Sequence, residues 1–404
     1  MEKLQSREIH CECGKRHLLT TKKIIVSKDA FARLFISVLK SEHNNILVIT
    51  DLQDNENINW FIDNIKEKKQ IKKLFVECCC ASIKRAEQIE DIGQDLIIAI
   101  GGEELISVAK YHAYSINTPI FVVAVNNFID ITFSKFSRLY DGVLFNTYIA
   151  AEPKEIYVPL CNSNFIQLQT YYISSKFIAI FDNVVQELVY KKTICDKLKR
   201  FLKETMIEYL REKPNGFVEQ NYKNIWTLVR LGLAMSFYNQ TVGFLGGDYA
   251  ILSLFQAQRT KCDFLELETM ALKLVINSYP CFFNKYVNYN NANINKHIQE
   301  ISQLLKISKT ESINRINGAC YMLEDVEFKQ RIYGYIPYLK VVLKKCISKI
   351  FMIHSSINVM FGFLKKNNIN AERVEKTFAL ASCIYARPTT LHLMASCGFM
   401  DKLL

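Results

Sequence analysis

The stretch from Ala113 to Lys296 contains no histidine; all seven of the chain's histidines lie outside it. Imidazole is the commonest protein ligand for a catalytic transition metal. Metal chemistry held by histidines is therefore excluded from that stretch. Long hydrophobic runs are lacking as well. The most apolar late segment, Ile336 to Leu364, is interrupted by Lys340, Lys344, Lys345 and Lys349, a spacing that suits an amphipathic packed helix and not a membrane span. No charged-then-apolar leader opens the sequence, so no secretory signal is expected. No internal repeat and no low-complexity linker is visible.

The 404 residues suffice for about two domains, each with its own core. Half of them are hydrophobic and 23% are charged, as in globular proteins. The net charge is +11, but basic and acidic residues alternate, as in Lys66-Glu67-Lys68-Lys69 and Lys84-Arg85-Ala86-Glu87. That mixture lacks the one-sided basic footprint of a nucleic-acid binder. Thirteen cysteines, an odd number, without a secretory leader fit a reduced, cytoplasmic setting.

The first third alternates strands and helices. Short apolar runs at 23–26, 45–51, 73–76, 96–100 and 120–124 are separated by helical spacing, for example Phe31, Leu34, Phe35 and Val38. Continuous apolar strands between helices predict a parallel sheet covered on both faces. Asp141-Gly142 predicts a hairpin near the end of this domain. From about Ile178 onward the 3.6 period dominates, with helices expected over 184–211, 224–238, 250–258, 265–277, 294–305, 337–364 and 372–384. Pro214-Asn215-Gly216 breaks the series. The expected plan is a Rossmann-like α/β domain over residues 1–160 and an all-helical domain over 161–404. A cleft between domains is a common ligand site.

The strand Ile97-Ile98-Ala99-Ile100 runs into Gly101-Gly102 and then a helix. Glycines let backbone approach a phosphate, and amides at a helix start attract anions. A tight turn with no ligand would use the same residues. The stretch Ile98 to Asp130 adds Val108-Ala109-Lys110-Tyr111, Thr118-Pro119 and Asn126 through Asp130. It resembles the glycerol-1-phosphate dehydrogenase family, within the wider dehydroquinate synthase and iron-containing alcohol dehydrogenase superfamily. Two more stretches agree. Cys11-Glu12-Cys13-Gly14-Lys15-Arg16-His17 is similar to the Cys-x-Cys-Gly-x-x-His leader of many bacterial members. Arg387-Pro388-Thr389-Thr390-Leu391 is similar to the closing Arg-Tyr-Thr-x-Leu segment, with Pro388 in place of tyrosine.

The resemblance implies a dehydroquinate synthase-like two-domain fold. It implies that Gly101 and Gly102 face an NAD or NADP pyrophosphate, that Asp51 reaches the adenosine ribose, and that Asp130 lies near a substrate. A small phosphorylated ligand is the partner it implies. Nucleic acid and membrane are not expected as partners, and a homo-oligomer is allowed but not required. Departures matter as much. Glu103 stands where the family has a further glycine, and Ser107 where it has an acid. A carboxylate at Glu103 suits the helix dipole but would compete with a pyrophosphate; about 1 kcal/mol of repulsion costs roughly fivefold in affinity.

The family holds a divalent ion through one Asp and two His. Asp182, in Ala179-Ile180-Phe181-Asp182, falls on the first ligand. Tyr249, in Gly246-Gly247-Asp248-Tyr249, falls on the second, and Gln256 on the third. Arg259 and Lys261 follow, and a cation there would repel a metal. Asp182, Asp248 and Cys262 are the residues from which a metal site could be rebuilt; the expectation is that no metal is held. His10, Cys11, Cys13 and His17 have a spacing that could clasp zinc, yet a structural site usually draws on two well-separated ligand pairs. That segment is read as the family's leader strand. Cys78-Cys79-Cys80 reads as buried small hydrophobes, and His112, His354 and His392 read as packed side chains.

Three functions remain open at this stage. The first is a divergent glycerol-1-phosphate dehydrogenase-like protein without metal-dependent hydride transfer that keeps a dinucleotide or phosphorylated ligand. The second is an active NAD(P)-dependent oxidoreductase acting on a CH–OH group, which would reduce a small phosphorylated ketone such as dihydroxyacetone phosphate with Lys261 or Arg259 as electrophile. The third is a scaffold with an empty cleft.

Overall fold

The computed structural model describes residues 2–3, 8–77, 81–125, 128–160, 166–258, 264–284, 294–318, 326–353, 371–384 and 388–396. The chain divides into two compact units, 1–169 with 213–240, and 170–212 with 241–404.

The first unit is built on a sheet. Strands β1 (Glu2–Lys3), β4 (Lys23–Ser27), β5 (Asn45–Thr50), β6 (Gln70–Phe75), β7 (Leu96–Gly101), β8 (Ile120–Ala124) and β11 (Glu155–Pro159) lie in the order β1-β4-β11-β8-β7-β5-β6. All neighbours pair parallel except β1, which runs antiparallel to β4. β7 and β8 are buried along their whole length, as the unbroken apolar runs require of central parallel strands. The edge strand β6 is largely exposed and carries Lys72 and Lys73, charges that discourage edge-to-edge pairing.

Alternation along these strands divides the core. Ile46, Val48, Ile98, Ile100, Phe121 and Val123 pack with Phe31, Leu34 and Val38 of α1 (Ala30–Lys40) and Ile58, Phe61 and Ile65 of α2 (Glu56–Ile65). α2 starts where the Asn55 side chain accepts the Ile58 amide, and α3 (Ile83–Glu87) where Ser82 accepts that of Arg85. Each cap satisfies an amide that the first turn leaves without an intrahelical partner. α4 (Glu103–Ser115) packs along β7 and β8.

Asp141-Gly142 does turn a hairpin, β9 (Phe136–Tyr140) with β10 (Phe145–Ile149). A second hairpin, β2 (Glu8–His10) with β3 (Arg16–Leu18), pairs Ile9 with His17. The helix Phe217–Tyr238 also belongs to this unit, although it follows the sheet in sequence. Its Gly232 lies so close to the Asp130 carbonyl that a Cβ would sit 2.1 Å from it.

The second unit is helical in its described residues. Helix α5 (Ile166–Leu188) begins twelve residues before the expected start of the helical region and ends within the segment predicted as one helix over 184–211. Residues 189–195 separate it from α6 (Asp196–Arg211). α7, the helix Phe217–Tyr238, is followed by α8 (Gly247–Ala257), α9 (Phe264–Asn284), α10 (Ile294–Leu305), α11 (Lys309–Gly318) and α12 (Val326–Ile353). The helix expected to begin at Pro337 begins at Val326, with Pro337 inside it and facing solvent. A proline there removes one backbone donor, and tertiary packing overrides the signal. Ala371–Ile384 and Thr390–Ser396 close the described helices. Among the described residues no helix is long and apolar enough to cross a membrane.

Candidate functional sites

In the first unit the chain leaves β5 toward β6 on one side and β7 toward β8 on the other. The carboxyl ends of β5 and β7 therefore mark a topological switch point, the place where open α/β sheets accept ligands. Asp51 follows the last residue of β5, Gly101 ends β7 and Gly102 follows it. Register aligns Thr50 with Ile100, which brings these two strand ends side by side. A Cβ on Gly101 would lie 2.3 Å from Asp51 Oδ1 and 2.6 Å from Leu105 Cδ2; only glycine fits. The Asp51 carboxylate accepts the Gly102 amide, and burial pushes its pKa up. Gly102 then opens α4 in extended conformation, φ −85° and ψ −177°, with no side-chain cap. An uncapped helix start with a Gly-Gly approach is the backbone arrangement that anionic ligands use.

Glu103 does not face that turn as a competitor. Its carboxylate is buried, accepts the Ser107 hydroxyl at 3.0 Å and lies 3.6 Å from Arg138 Nη2. The expected contest with a pyrophosphate is replaced by an internal ion pair. Arg138 is itself fully buried and lies over the Phe145 ring at 5.4 Å. One and two turns on, the same helix buries Ser107 and Lys110. Lys110 Nζ donates to the carbonyls of Ile131 at 2.8 Å and Phe136 at 2.5 Å. Burial pushes its ammonium down to about 7, against the charge of Glu103. Lys110 thus pins the loop carrying Asp130. Asp130 is buried in the short 3-10 turn Asp130–Phe133, where one carboxylate oxygen accepts the Ile131 amide at 2.8 Å. Sequence reasoning named Lys110 only within a family-like stretch and did not name Arg138, because a basic residue is ordinarily solvated.

In the second unit Asp182 is fully buried on α5. One carboxylate oxygen accepts the Gly247 amide at 2.7 Å and the Tyr279 hydroxyl at 3.3 Å. The other accepts the Thr390 amide at 2.9 Å and the Thr390 hydroxyl at 2.6 Å. Four donors occupy the lone pairs that a metal would need. Burial still raises its pKa to about 6, with the hydrogen bonds working the other way. Asp248 is buried one residue past Gly247, and its carboxyl is hydrogen-bonded to that of Glu268 on α9. Burial, and then the Glu268 charge, push its pKa up. Tyr249 is buried and Gln256 is half-buried on α8.

A divalent ion bound in the family's manner does not fit these residues. The one matching carboxylate is saturated by protein donors, and a phenol and an amide stand for the imidazoles. Arg259, Lys261 and Cys262 lie outside the described residues, as do Cys78-Cys79-Cys80, Asn126, His354 and Arg387. His392, expected to be packed, is buried, and its Nδ1 accepts the Thr389 amide at 3.0 Å. His112 is buried as expected, and burial lowers its pKa.

The expectation that no metal is held meets an opposing observation at the first hairpin. The ligand atoms of Cys11, Cys13 and His17 lie within 4.8 Å of one another, whereas His10 points outward beside Glu8.

No protein-family model and no curated protein matches the chain. Solved structures do. A glycerol dehydrogenase from Schizosaccharomyces pombe matches with a TM-score of 0.54 at 14% identity, over 95% of this chain and 90% of that one. An iron-containing alcohol dehydrogenase from Thermotoga maritima gives 0.54 at 12%, over 96% and 98%. An NADH-dependent butanol dehydrogenase A from the same organism gives 0.52 at 11%, over 95% and 97%. The parallel sheet with its helical partner unit is the two-domain fold of the iron-containing alcohol and glycerol dehydrogenases.

Proposed function

We propose that the chain is a divergent glycerol-1-phosphate dehydrogenase-like protein that binds a dinucleotide or phosphorylated ligand and lacks metal-dependent hydride transfer. Asp51, Gly101 and Gly102 would take NAD or NADP, and Asp130 would orient the substrate. The cofactor class is supported by the switch-point position of the Gly-Gly turn and by the NADH-dependent enzyme among the similar structures. The observation that carries the loss of metal chemistry is the set of four donors on Asp182. Metal-assisted reduction needs an ion with an open position for the carbonyl oxygen, and this carboxylate has no lone pair left to hold one. The proposed setting is the cytoplasm, with no nucleic-acid or membrane partner and with self-association left to measurement.

Titration of the purified chain with NADH and NADPH, followed by an assay of dihydroxyacetone phosphate reduction, tests the reading. Micromolar binding without turnover is expected. Chelator-sensitive turnover would overturn it in favour of an active oxidoreductase. Failure to bind either nucleotide would favour a scaffold.

A further inference from the structure

We propose that Cys11, Cys13 and His17 form a zinc site that clasps the N-terminal hairpin. Their ligand atoms lie within 4.8 Å of one another, and Cys13 Sγ stands 3.3 Å from His17 Nε2. A tetrahedral zinc, with Zn–S of about 2.3 Å and Zn–N of about 2.0 Å, sets adjacent donors about 3.5–3.8 Å apart. The Cys13–His17 separation is already close to that spacing.

The backbone is shaped to hold it. Cys11 and Lys15 close the turn through an amide-to-carbonyl bond of 3.2 Å, and the Gly14 amide donates to the Cys11 carbonyl at 2.9 Å. Gly14 has φ +77°, the left-handed conformation that a side chain resists. This turn folds Cys11 and Cys13 toward one side. β3 then delivers His17, whose ring is fully buried against Phe237 at 5.5 Å and edge-on to Tyr238 at 4.9 Å. Both cysteines are half-buried, so an ion can reach them from solvent. An imidazole fixed by aromatic packing and paired with two thiols matches the soft donor set that selects zinc over magnesium or calcium. The two separated ligand pairs of the usual structural site are not needed here, because strand pairing supplies the second side. Binding converts the two thiols to thiolates and releases their protons.

Metal content of the purified full chain, after dialysis against metal-free buffer, tests this. About one zinc per chain is expected, lost in Cys11→Ser, Cys13→Ser and His17→Asn and kept in His10→Ala and Asp182→Asn. Because the hairpin variants risk misfolding, the wild-type apoprotein is also loaded with cobalt. Thiolate-to-cobalt charge transfer in the near ultraviolet is expected, with tetrahedral ligand-field bands. Stoichiometric zinc surviving in the Cys13→Ser/His17→Asn double variant, cobalt spectra without a thiolate band, or no uptake of either ion would overturn the proposal. So would a stable Cys11–Cys13 disulfide in the protein as isolated. None of these outcomes depends on nucleotide binding or turnover.

Discussion

Glu103 Oε2 lies 3.6 Å from Arg138 Nη2, with both side chains buried. The carboxylate at the start of α4 is committed to the interior of the first unit and not to a ligand.

Arg138→Met should therefore destabilise the first unit by about 3–5 kcal/mol, because it leaves Glu103 charged and unpaired. Adding Glu103→Gln should recover part of the loss, a coupling that a double-mutant cycle in urea measures. NADH affinity of the folded double variant should stay near the wild-type value. A tenfold weakening would place Glu103 back at the ligand.

Gly101→Ala should lower stability by about 2 kcal/mol or more, since its Cβ would overlap the Asp51 carboxylate. Asp51→Ala in the same chain should relieve most of that cost. The pairwise rescue is read by chemical denaturation, and its absence would show that Leu105 dominates the clash.

Asp182 gives the second unit a pH signature. Its pKa is raised from 3.8 to about 6 on folding, so between these values the folded state holds a proton that the unfolded state has released. Stability contributed by the protonated form is complete below about pH 4 and falls as pH rises to about 6. Asp182→Asn should flatten the slope across that window. It should also cost about 2 kcal/mol at neutral pH, since an amide cannot accept at both ends. An unchanged slope would assign the titration to other groups.

Cys346 is buried on α12, and burial pushes its thiol up to about 12. Reactivity follows the thiolate. Peptide mapping after brief iodoacetamide treatment should find the exposed Cys281 alkylated long before Cys346. Equal labelling would mean that α12 opens readily.

The alternating apolar runs exposed the parallel sheet because central strands buried on both faces have no polar positions to interrupt them, as β7 shows. The turn at Gly101 was legible as a strand running into a helix, but a ligand-free turn would use the same residues. Asp182 was found by its place in a motif, but its role was hidden. Its four donors come from Gly247, Tyr279 and Thr390, far apart in sequence, and no local pattern announces such convergence. Pro337 misled for a related reason: a local breaker signal says nothing of the packing that carries a helix through it. The buried cations Lys110 and Arg138 escaped because their acceptors come from other segments and are apparent only in three dimensions.

The bond between Asp182 and Thr390 spans 208 positions. During synthesis the carboxylate on α5 leaves the ribosome long before the hydroxyl and amide that complete its shell. Until then the carboxyl group would bear the cost of desolvation with half its donors missing. Co-translational assembly of that unit is therefore expected to stall in a loosened state, and the final docking belongs to the released polypeptide. Shortening the gene just ahead of codon 389 should yield a soluble sheet unit attached to a protease-sensitive remainder.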